Sequence, residues 1–156
     1  MELRMQREFA APVDLVWRAV GEGFGEVGVW ASGLESSYLE TGEVGVGAVR
    51  VCKAAPRWPF GAAVIRERLL TYDPTSRTFS YEAFEGLPSF MAAGQNRWTL
   101  EPLGPGRTLV RMHGTLVFRG LGRLLEPLLR RAMRREGTQF LDDLGAHLES
   151  VYEVAA

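Results

Sequence analysis

The sequence predicts an α+β fold in which a curved antiparallel β-sheet of about seven strands wraps around one long C-terminal helix. The first reason is that apolar and polar residues alternate with a period of two from residue 34 to 118, between short turns. The second is that the apolar period changes to 3.6 residues near the C-terminus. With 156 residues the chain is long enough to bury a substantial core, and we expect a single domain over 1–156.

The first part of the chain predicts one strand followed by two short helices. The segment "LRMQREF" alternates and indicates a short strand at the edge of the sheet. In "APVDLVWRAV", Pro12 suits the first position of a helix, and the apolar residues recur at helical spacing. The following "GEGFGEVGVW" contains four glycines and predicts a tight helical turn. We expect this turn to position Phe24, Val27 and Trp30.

Six more strands follow, and short turns separate them. The turn segments include "TGEVG", "APRWPFG", "DPTS" and "GPG". Parallel neighbours would need crossover connections of about a dozen residues or more, so these short turns indicate an antiparallel meander. The strands are predicted at 34–41, 47–54, 62–72, 77–84, 95–102 and 108–118.

The C-terminal segment predicts one long helix that starts near Pro127, with a short turn before it. About 25 residues at about 1.5 Å each give a length of about 38 Å, enough to cross the whole sheet. Gly137 interrupts the apolar stripe, and either a close strand or space for a ligand would explain it. The residues expected along the buried stripe are Leu125, Leu129, Ala132, Met133, Phe140, Leu144 and Leu148.

Composition and charge exclude several classes of protein. The formal net charge of -1 argues against nucleic acid as a partner. Cys52 is the only cysteine, which excludes an internal disulfide and favours the cytosol. The charged N-terminus is unlike a signal peptide, and no apolar run is long enough to indicate a membrane span. The histidines and Cys52 lack metal-ligand spacing and no cofactor motif occurs, so we expect a soluble cytoplasmic protein without a metal or cofactor.

Strand alternation indicates which side chains face the helix. In "AAVIRERLLT", the face that contains Glu67 carries one charge and the face with Arg66 and Arg68 carries two, so Glu67 is expected inside. For the strand at 47–54 the rule does not choose between two faces, which are formed by Arg50 and Cys52 or by Val49 and Val51. The same rule turns inward Phe79, Tyr81, Asn96, Trp98 and Met112.

Glu67 has three interpretations. A carboxylate in an apolar interior is destabilised when ionised, which suits a general acid or base near neutral pH. Glu67 could instead contact a polar group of a ligand, or form an ion pair with Arg50. If Glu67 is unpaired, Glu67→Gln is expected to stabilise the protein, whereas an ion pair would make the same change destabilising. Tyr81 and Asn96 either orient a ligand oxygen or form an ordinary core hydrogen bond.

The loop "EGLPSFMAAGQNRW" carries large apolar side chains although loops normally run over the surface. We expect the segment from Gly86 to Gly94 to be a lid over the mouth between sheet and helix, with the two glycines as hinges. The alternative is that Leu87, Phe90 and Met91 plug the end of an ordinary core.

The segment from Arg119 to Arg135 contains six arginines. Such a run is usually a solvated helix face. A second interpretation is weak contact of the arginines with anionic membranes. Nucleic acid is disfavoured as a partner because no aromatic residues are interleaved with these arginines. The arginines expected to make the membrane contact are Arg130, Arg131, Arg134 and Arg135.

Four segments of the sequence carry a resemblance to a known family, namely "AAPVDLVWRAV", "GEVGVGAVRV", "IRERLLTYDPTSRTFSYEAFEGLP" and "GPGRTLVRM". They resemble the SRPBCC superfamily, which comprises the START and polyketide-cyclase-like proteins. The resemblance spans nearly the whole chain and implies a helix-grip fold, whose members hold lipids, sterols, polyketides or plant hormones between sheet and helix. Some members are enzymes and many only bind. Related sequences often place a Tyr after the Leu-Pro turn, whereas this chain has Phe90 and Met91.

The resemblance therefore implies binding of a small hydrophobic ligand, such as a lipid-, polyketide- or isoprenoid-like molecule, in an internal cavity. The first alternative is a cyclase or dehydratase that uses Glu67 as general acid or base, and the second is a protein-interaction module. The expected ligand-binding residues are Glu67, Phe79, Tyr81, Leu87, Phe90, Met91, Asn96, Trp98, Met112, Met133, Phe140 and Leu144.

Overall fold

The computed structural model describes residues 1–57 and 61–155, and one seven-stranded antiparallel sheet forms most of it. The strands are β1 (Glu2–Phe9), β2 (Leu34–Leu39), β3 (Val49–Arg57), β4 (Gly61–Asp73), β5 (Thr78–Glu85), β6 (Met91–Gly104) and β7 (Arg107–Phe118). Their order across the sheet is β1-β7-β6-β5-β4-β3-β2. Six strands thus form the predicted meander, and β1 lies at an edge beside β7, as expected.

The helices are α1 (Val13–Trp17), α2 (Leu121–Leu124) and α3 (Glu126–Ala155). A π-helical turn (Arg18–Glu22) continues α1, and a 3-10 helix (Phe24–Val29) follows it. None of the helices among residues 1–57 and 61–155 combines the length and the apolar character that a membrane span requires.

The predicted strands are confirmed, with one clear difference at β6. This strand begins at Met91 instead of residue 95, because Met91 to Gly94 already pair with β7 opposite Phe118 and Leu116. The predicted turn at 55–61 is only partly described, since residues 58–60 lie outside the described part of the chain.

The inner face of the sheet and one face of α3 enclose the main core. Leu69, Phe79, Trp98 and Val110 are buried on the predicted inward faces of their strands. They share one apolar cluster with three leucines of α3, which are Leu141, Leu144 and Leu148. The predicted α+β helix-grip arrangement is therefore confirmed.

The first four residues of β3 (49–52) are buried on both faces, which explains why alternation did not choose between the faces. Arg50 and Cys52 face the interior, yet Val49 and Val51 are also less than a tenth exposed. Both valines pair across the sheet with arginines of β4, and long arginine stems cover apolar neighbours well.

Helix α3 starts one residue before Pro127 and runs for 30 residues, about 45 Å. Most of the predicted stripe faces the sheet, but the placement of Leu125 was wrong. Leu125 is 50% exposed because it lies in the turn between α2 and α3, before the regular helix begins. The inward position that sequence periodicity missed is Leu141.

Gly137 lies against a neighbouring strand. A Cβ atom at this position would approach the sulfur of Met5 on β1 to 2.5 Å. The side chain of Met5 therefore fills the gap that Gly137 leaves in the helix surface. Of the two explanations offered by the sequence, the structure supports the close strand.

This contact predicts energetic coupling between Met5 and Gly137. In a Met5→Ala background, Gly137→Ala should stabilise the protein by about 1 kcal/mol through helix propensity. In the wild-type background the new methyl group must displace Met5, and the gain should shrink or reverse. Urea unfolding of the four proteins in this cycle measures the coupling, which we expect to exceed about 0.5 kcal/mol. Equal effects in both backgrounds would contradict the contact.

Candidate functional site

A small cavity lies between the inner face of the sheet, α3 and the N-terminal helical segment. Its volume is about 10 Å³, roughly the space of one water molecule. Aromatic rings form much of its wall, and Arg50 is the charged residue in it. The lining residues are Ala19, Val20, Gly23, Val27, Trp30, Arg50, Phe79, Tyr81, Trp98 and Phe140.

Arg50 is held from several sides. Its Nε donates to Glu67 Oε2 at 2.5 Å, and Nη1 donates to the carbonyl of Phe24 at 3.0 Å. The guanidinium carbon lies 4.1 Å and 4.6 Å from the ring centres of Phe24 and Tyr81, so cation–π contacts add to the ion pair. Nη2 makes no hydrogen bond to the described residues. Arg50 is at the same time one of the residues on the wall of the cavity.

The charge on Arg50 is permanent despite its burial. Burial acts to lower the pKa of Arg50, but the negative charge of Glu67 and the nearby Tyr81 and Cys52 outweigh it and raise the pKa above its ordinary value. Arg50 and Glu67 face each other in the register of β3 and β4, and their side chains are 7% and 15% exposed. The interior therefore contains a cation at every physiological pH, with the carboxyl group of Glu67 beside it.

Cys52 belongs to the same cluster, and its thiol is a poor nucleophile at neutral pH. Its thiol lies 3.6 Å from Glu67 Oε2 and donates to it. Burial, with Glu67 as a further cause, raises the pKa of Cys52 to about 12, so the thiolate needed for nucleophilic chemistry is scarce at neutral pH. Among residues 1–57 and 61–155, no group of three or more His, Cys, Asp or Glu side chains is arranged to hold a metal ion.

Tyr81 and Asn96 form a polar pair with unused capacity. Asn96 Nδ2 donates to the Tyr81 hydroxyl at 3.2 Å, whereas Asn96 Oδ1 is buried without a partner in the described part of the chain. Rotating the amide by half a turn would leave Nδ2 unpaired instead, so one amide group is unsatisfied either way. Burial, followed by the charge of Glu67, raises the pKa of Tyr81, which keeps the phenol protonated.

Stacked aromatic rings line the rest of the cavity. Phe79 stacks on Tyr81 at 6.3 Å and on Trp98 at 5.7 Å between ring centres. Phe140 from α3 meets the edge of Trp98 at 5.9 Å and packs on Trp30 at 4.7 Å. Trp30 and Phe140 together form the helical side of the cavity wall.

A larger groove lies beside this cavity. Its volume is about 200 Å³, and it shares Ala19, Gly23 and Trp30 with the inner cavity. Trp30 also stacks on His147 at 6.3 Å, and its indole N–H is buried without a hydrogen-bond partner in the described residues. Trp30 is therefore the largest side chain that lines both the groove and the cavity. The other groove residues are Leu15, Arg18, Glu26, Val29, His147, Leu148 and Val151.

The structure brings together some of the predicted ligand-binding residues and separates others. Glu67 lies behind Arg50, Asn96 lies beside Tyr81, and Leu144 and Met112 belong to the main core. The cavity residues that the predicted ligand-binding set lacked are Ala19, Val20, Gly23, Val27, Trp30 and Arg50. The three-residue spacing of Phe24, Val27 and Trp30 was the available signal. Predicted residues that do line the cavity are Phe79, Tyr81, Trp98 and Phe140.

The predicted lid does not cover this cavity. Leu87, Phe90 and Met91 belong to a separate apolar cluster with Phe118 and Leu129, at the N-terminal end of α3. Phe90 and Ser89 are also fixed by hydrogen bonds from Arg119. The structure therefore supports the plug that the sequence left as the alternative.

Neither expected hinge glycine is free to act as one. Gly86 has a φ of +83°, and a Cβ atom there would lie 1.9 Å from the carbonyl oxygen of Val64, so the backbone is locked against β4. Gly94 is part of β6 and pairs with both neighbouring strands.

The ion pair predicts the sign of a stability change. Glu67→Gln should destabilise the protein by about 3 kcal/mol, because it leaves a buried guanidinium without its counter-charge. Replacing both partners by apolar residues, Arg50→Met with Glu67→Leu, should cost less than Glu67→Gln alone. As a control, Glu82→Gln on the outer face removes a pair with Arg68 at 3.6 Å and should cost less than about 1 kcal/mol. Chemical unfolding measures all three, and a stabilising effect of Glu67→Gln would contradict the pair.

Cys52 predicts a loss of stability at alkaline pH. Because its pKa rises from 9.0 to about 12 on folding, its contribution is fully present below pH 9 and is lost as the pH rises toward 12. Within this window the titration of one thiol can lower the free energy of unfolding by at most about 1.4 kcal/mol per pH unit. Cys52→Ala should remove this pH dependence. Plots of the free energy of unfolding against pH for the wild type and for Cys52→Ala should therefore converge above pH 9. Curves that stay parallel would show that the thiol does not titrate with unfolding.

Solved structures with the same fold cover nearly the whole chain. The protein TTHA0849 from Thermus thermophilus has a TM-score of 0.80 at 20% identity, over 97% of this chain and 99% of its own. The Zhui aromatase/cyclase from Streptomyces sp. R1128 has a TM-score of 0.78 at 18% identity, over 96% of this chain and 93% of its own. A START superfamily protein from Mycobacterium smegmatis has a TM-score of 0.74 at 14% identity, over 96% of this chain and 98% of its own. Similarity at these identities shows the fold alone.

No curated protein matches the chain in sequence at a significant level. A family profile does match: the family described as "Polyketide cyclase / dehydrase and lipid transport" aligns with residues 1–149. This match covers all seven strands and most of α3, and it confirms the resemblance carried by the sequence motifs. The chain therefore belongs to the polyketide cyclase / dehydrase and lipid transport family, within the SRPBCC superfamily of helix-grip proteins.

Proposed function

We propose that this protein binds one small hydrophobic molecule carrying an oxygen-bearing polar group in the space between the sheet and α3. Lipid-, polyketide- and isoprenoid-like molecules meet this description. The observation that carries the proposal is that Arg50 and Tyr81 stand on an otherwise aromatic wall, with the unpaired amide group of Asn96 beside Tyr81. Buried polar groups are nearly always paired in native proteins, so an unpaired amide group next to a cavity indicates a partner.

The available groups favour particular ligand chemistry. Arg50 Nη2 and the Tyr81 hydroxyl are donors, which suits a ligand carbonyl or carboxylate oxygen. The unpaired amide group of Asn96 suits a second polar group on the same ligand. The stacked rings of Phe79 and Trp98 would cover its apolar part. The ligand is therefore proposed to insert its oxygen first.

Binding requires the cavity to enlarge, since about 10 Å³ holds no more than a water molecule. Pockets for small molecules usually measure about 300–1,000 Å³. Moving Trp30 away from Phe140 would join the cavity to the groove of about 200 Å³ beside it. We propose that the ligand enters by this route, through the helical segment. The opposite end of the sandwich is filled by the cluster around Leu87 and Phe90.

Binding without catalysis is favoured over the cyclase or dehydratase alternative. The family description names both activities, and the Zhui protein is an aromatase/cyclase. In this chain, however, Glu67 Oε2 accepts hydrogen bonds from Arg50 and Cys52, and Arg50 stands on the cavity wall. A carboxylate engaged in this way is poorly placed to remove a proton from a ligand.

Two further expectations stand beside this proposal and do not depend on it. A cytoplasmic location is supported by the single buried free thiol of Cys52, which forms no disulfide. Contact with anionic lipid is supported by exposed arginines of α3, namely Arg131, Arg134 and Arg135. Arg130 is less available, since it donates to Glu126 and to the carbonyl of Glu2.

Titration with cis-parinaric acid, a fluorescent fatty acid, tests the proposal. We expect saturable binding at about one site per native chain, and about tenfold weaker binding of its methyl ester, since a hydrogen bond to a charged group contributes about 1.5–3 kcal/mol. Tyr81→Phe should weaken binding of the acid, and Asn96→Leu should do the same.

Tyr72→Phe is the matched control, because Tyr72 packs on Trp17 in the same core without lining the cavity. It should bind the acid like the wild type. Fluorescence that rises only after partial unfolding, or equal binding by all variants, would refute the site.

A further inference from the structure

Four large apolar side chains are exposed where the second and third helices meet. Leu121 is 75% exposed, Leu124 78%, Leu125 50% and Leu128 65%. Isolated exposed leucines are common on protein surfaces, but neighbouring ones form a patch that usually serves an interaction. These four lie within eight consecutive residues.

The leucines share one face of a nearly continuous helical path. Backbone hydrogen bonds from Leu125 to Leu121 at 3.2 Å and from Leu129 to Leu125 at 2.9 Å carry the helical turn across the junction. Residues 121, 124 and 128 are spaced by three and four and therefore lie on one side. The buried Gly122 and Leu129 lie on the opposite side, against the plug cluster. The same exposed stripe continues toward the C-terminus with Arg131 and Arg135.

The charges around these leucines are mainly positive. Arg131, Arg134 and Arg135 are exposed and form no ion pair with any residue in 1–57 or 61–155. Arg119 and Arg123 donate only to backbone carbonyls, so their charges are not neutralised. The nearby acid Glu126 is already paired with Arg130.

We propose that this leucine–arginine face, formed by Leu121, Leu124, Leu125, Leu128, Arg131, Arg134 and Arg135, docks on the surface of an anionic lipid bilayer. An amphipathic helix of this kind lies in the interface, with its apolar side chains among the acyl chains and its basic side chains at the headgroups. The unneutralised arginines complement the negative surface potential of such a membrane. A second copy of the chain would instead present the same positive charges.

Docking would also act on the end of the sandwich that the plug cluster fills. The backbone N–H of Arg119 donates to the carbonyl of Phe90 at 2.9 Å, and Gly122 lies directly against the same carbonyl. The docking face is therefore attached to the loop that carries Leu87 and Phe90. Transfer of a ligand between bilayer and protein through this contact rests on the proposed function, whereas docking itself does not.

Co-sedimentation of the full chain with vesicles tests the proposal. One set of vesicles contains phosphatidylcholine alone, and the other contains equal parts of phosphatidylcholine and phosphatidylglycerol. We expect binding to the anionic set that falls with rising salt. The double variants Leu124→Ser with Leu128→Ser, and Arg131→Glu with Arg135→Glu, should each weaken it by at least about tenfold.

Matched controls change exposed residues elsewhere. Val46→Ser replaces an apolar side chain that is 71% exposed, and Arg4→Glu with Arg97→Glu reverses two exposed charges on the sheet. Val46→Ser should bind the anionic vesicles like the wild type. Arg4→Glu with Arg97→Glu should bind them more tightly than Arg131→Glu with Arg135→Glu. Absence of binding, or equal loss in both charge reversals, would overturn the proposal. The protein could instead self-associate without binding vesicles, and Leu124→Ser with Leu128→Ser could abolish this self-association. That result would overturn the proposal in favour of an interface between copies.

Failure of docking is distinguishable from failure of the proposed ligand site. Tyr81→Phe should bind vesicles like the wild type, because Tyr81 lies in the interior. The leucine variant should still bind cis-parinaric acid in the absence of vesicles. A loss of vesicle binding in Tyr81→Phe would overturn docking by this face.

Discussion

The guanidinium of Arg50 inside an apolar interior is the constraint on which the rest of the site depends. A buried cation must be compensated, and compensation here comes from separate parts of the chain. Glu67 supplies the counter-charge from the neighbouring strand, Phe24 supplies a carbonyl from the 3-10 helix, and Tyr81 supplies a ring from β5. One side chain therefore joins β3, β4, β5 and the helical segment before the sheet. Because the 3-10 helix is tied to Arg50, Trp30 just beyond it is brought to the mouth of the cavity.

The same cluster separates the roles of charged and neutral groups. Glu67 accepts hydrogen bonds from Arg50 and Cys52, and the thiol of Cys52 stays protonated at neutral pH. The carboxylate is therefore already engaged, and the thiolate needed for nucleophilic attack is scarce. Tyr81 and Asn96 are neutral and bonded to each other, and the amide of Asn96 keeps one buried atom without a partner in the described residues. This arrangement is the reason that we propose ligand binding and not proton transfer for this interior.

The two ends of the space between sheet and α3 differ. At the N-terminal end of α3, Leu87, Phe90 and Met91 pack on Leu129 and close the sandwich. About 18 residues further along the helix, roughly 27 Å away, Trp30 and His147 border an open groove. A helix-grip protein has two ends at which a ligand could enter, and in this chain tight packing closes one of them. The closed end is also the one attached to the exposed leucines.

Local patterns in the sequence determined the strands, the long helix and the inward direction of Glu67, Phe79, Tyr81 and Trp98. They succeeded because side-chain periodicity reports directly which face of a strand or helix is buried. The tertiary structure alone decided what each buried group meets. It paired Glu67 with Arg50, turned Leu125 to solvent at a helix junction, and filled the gap at Gly137 with Met5. These partners are contributed by distant parts of the chain, and periodicity within one element carries no information about residues that approach it from another.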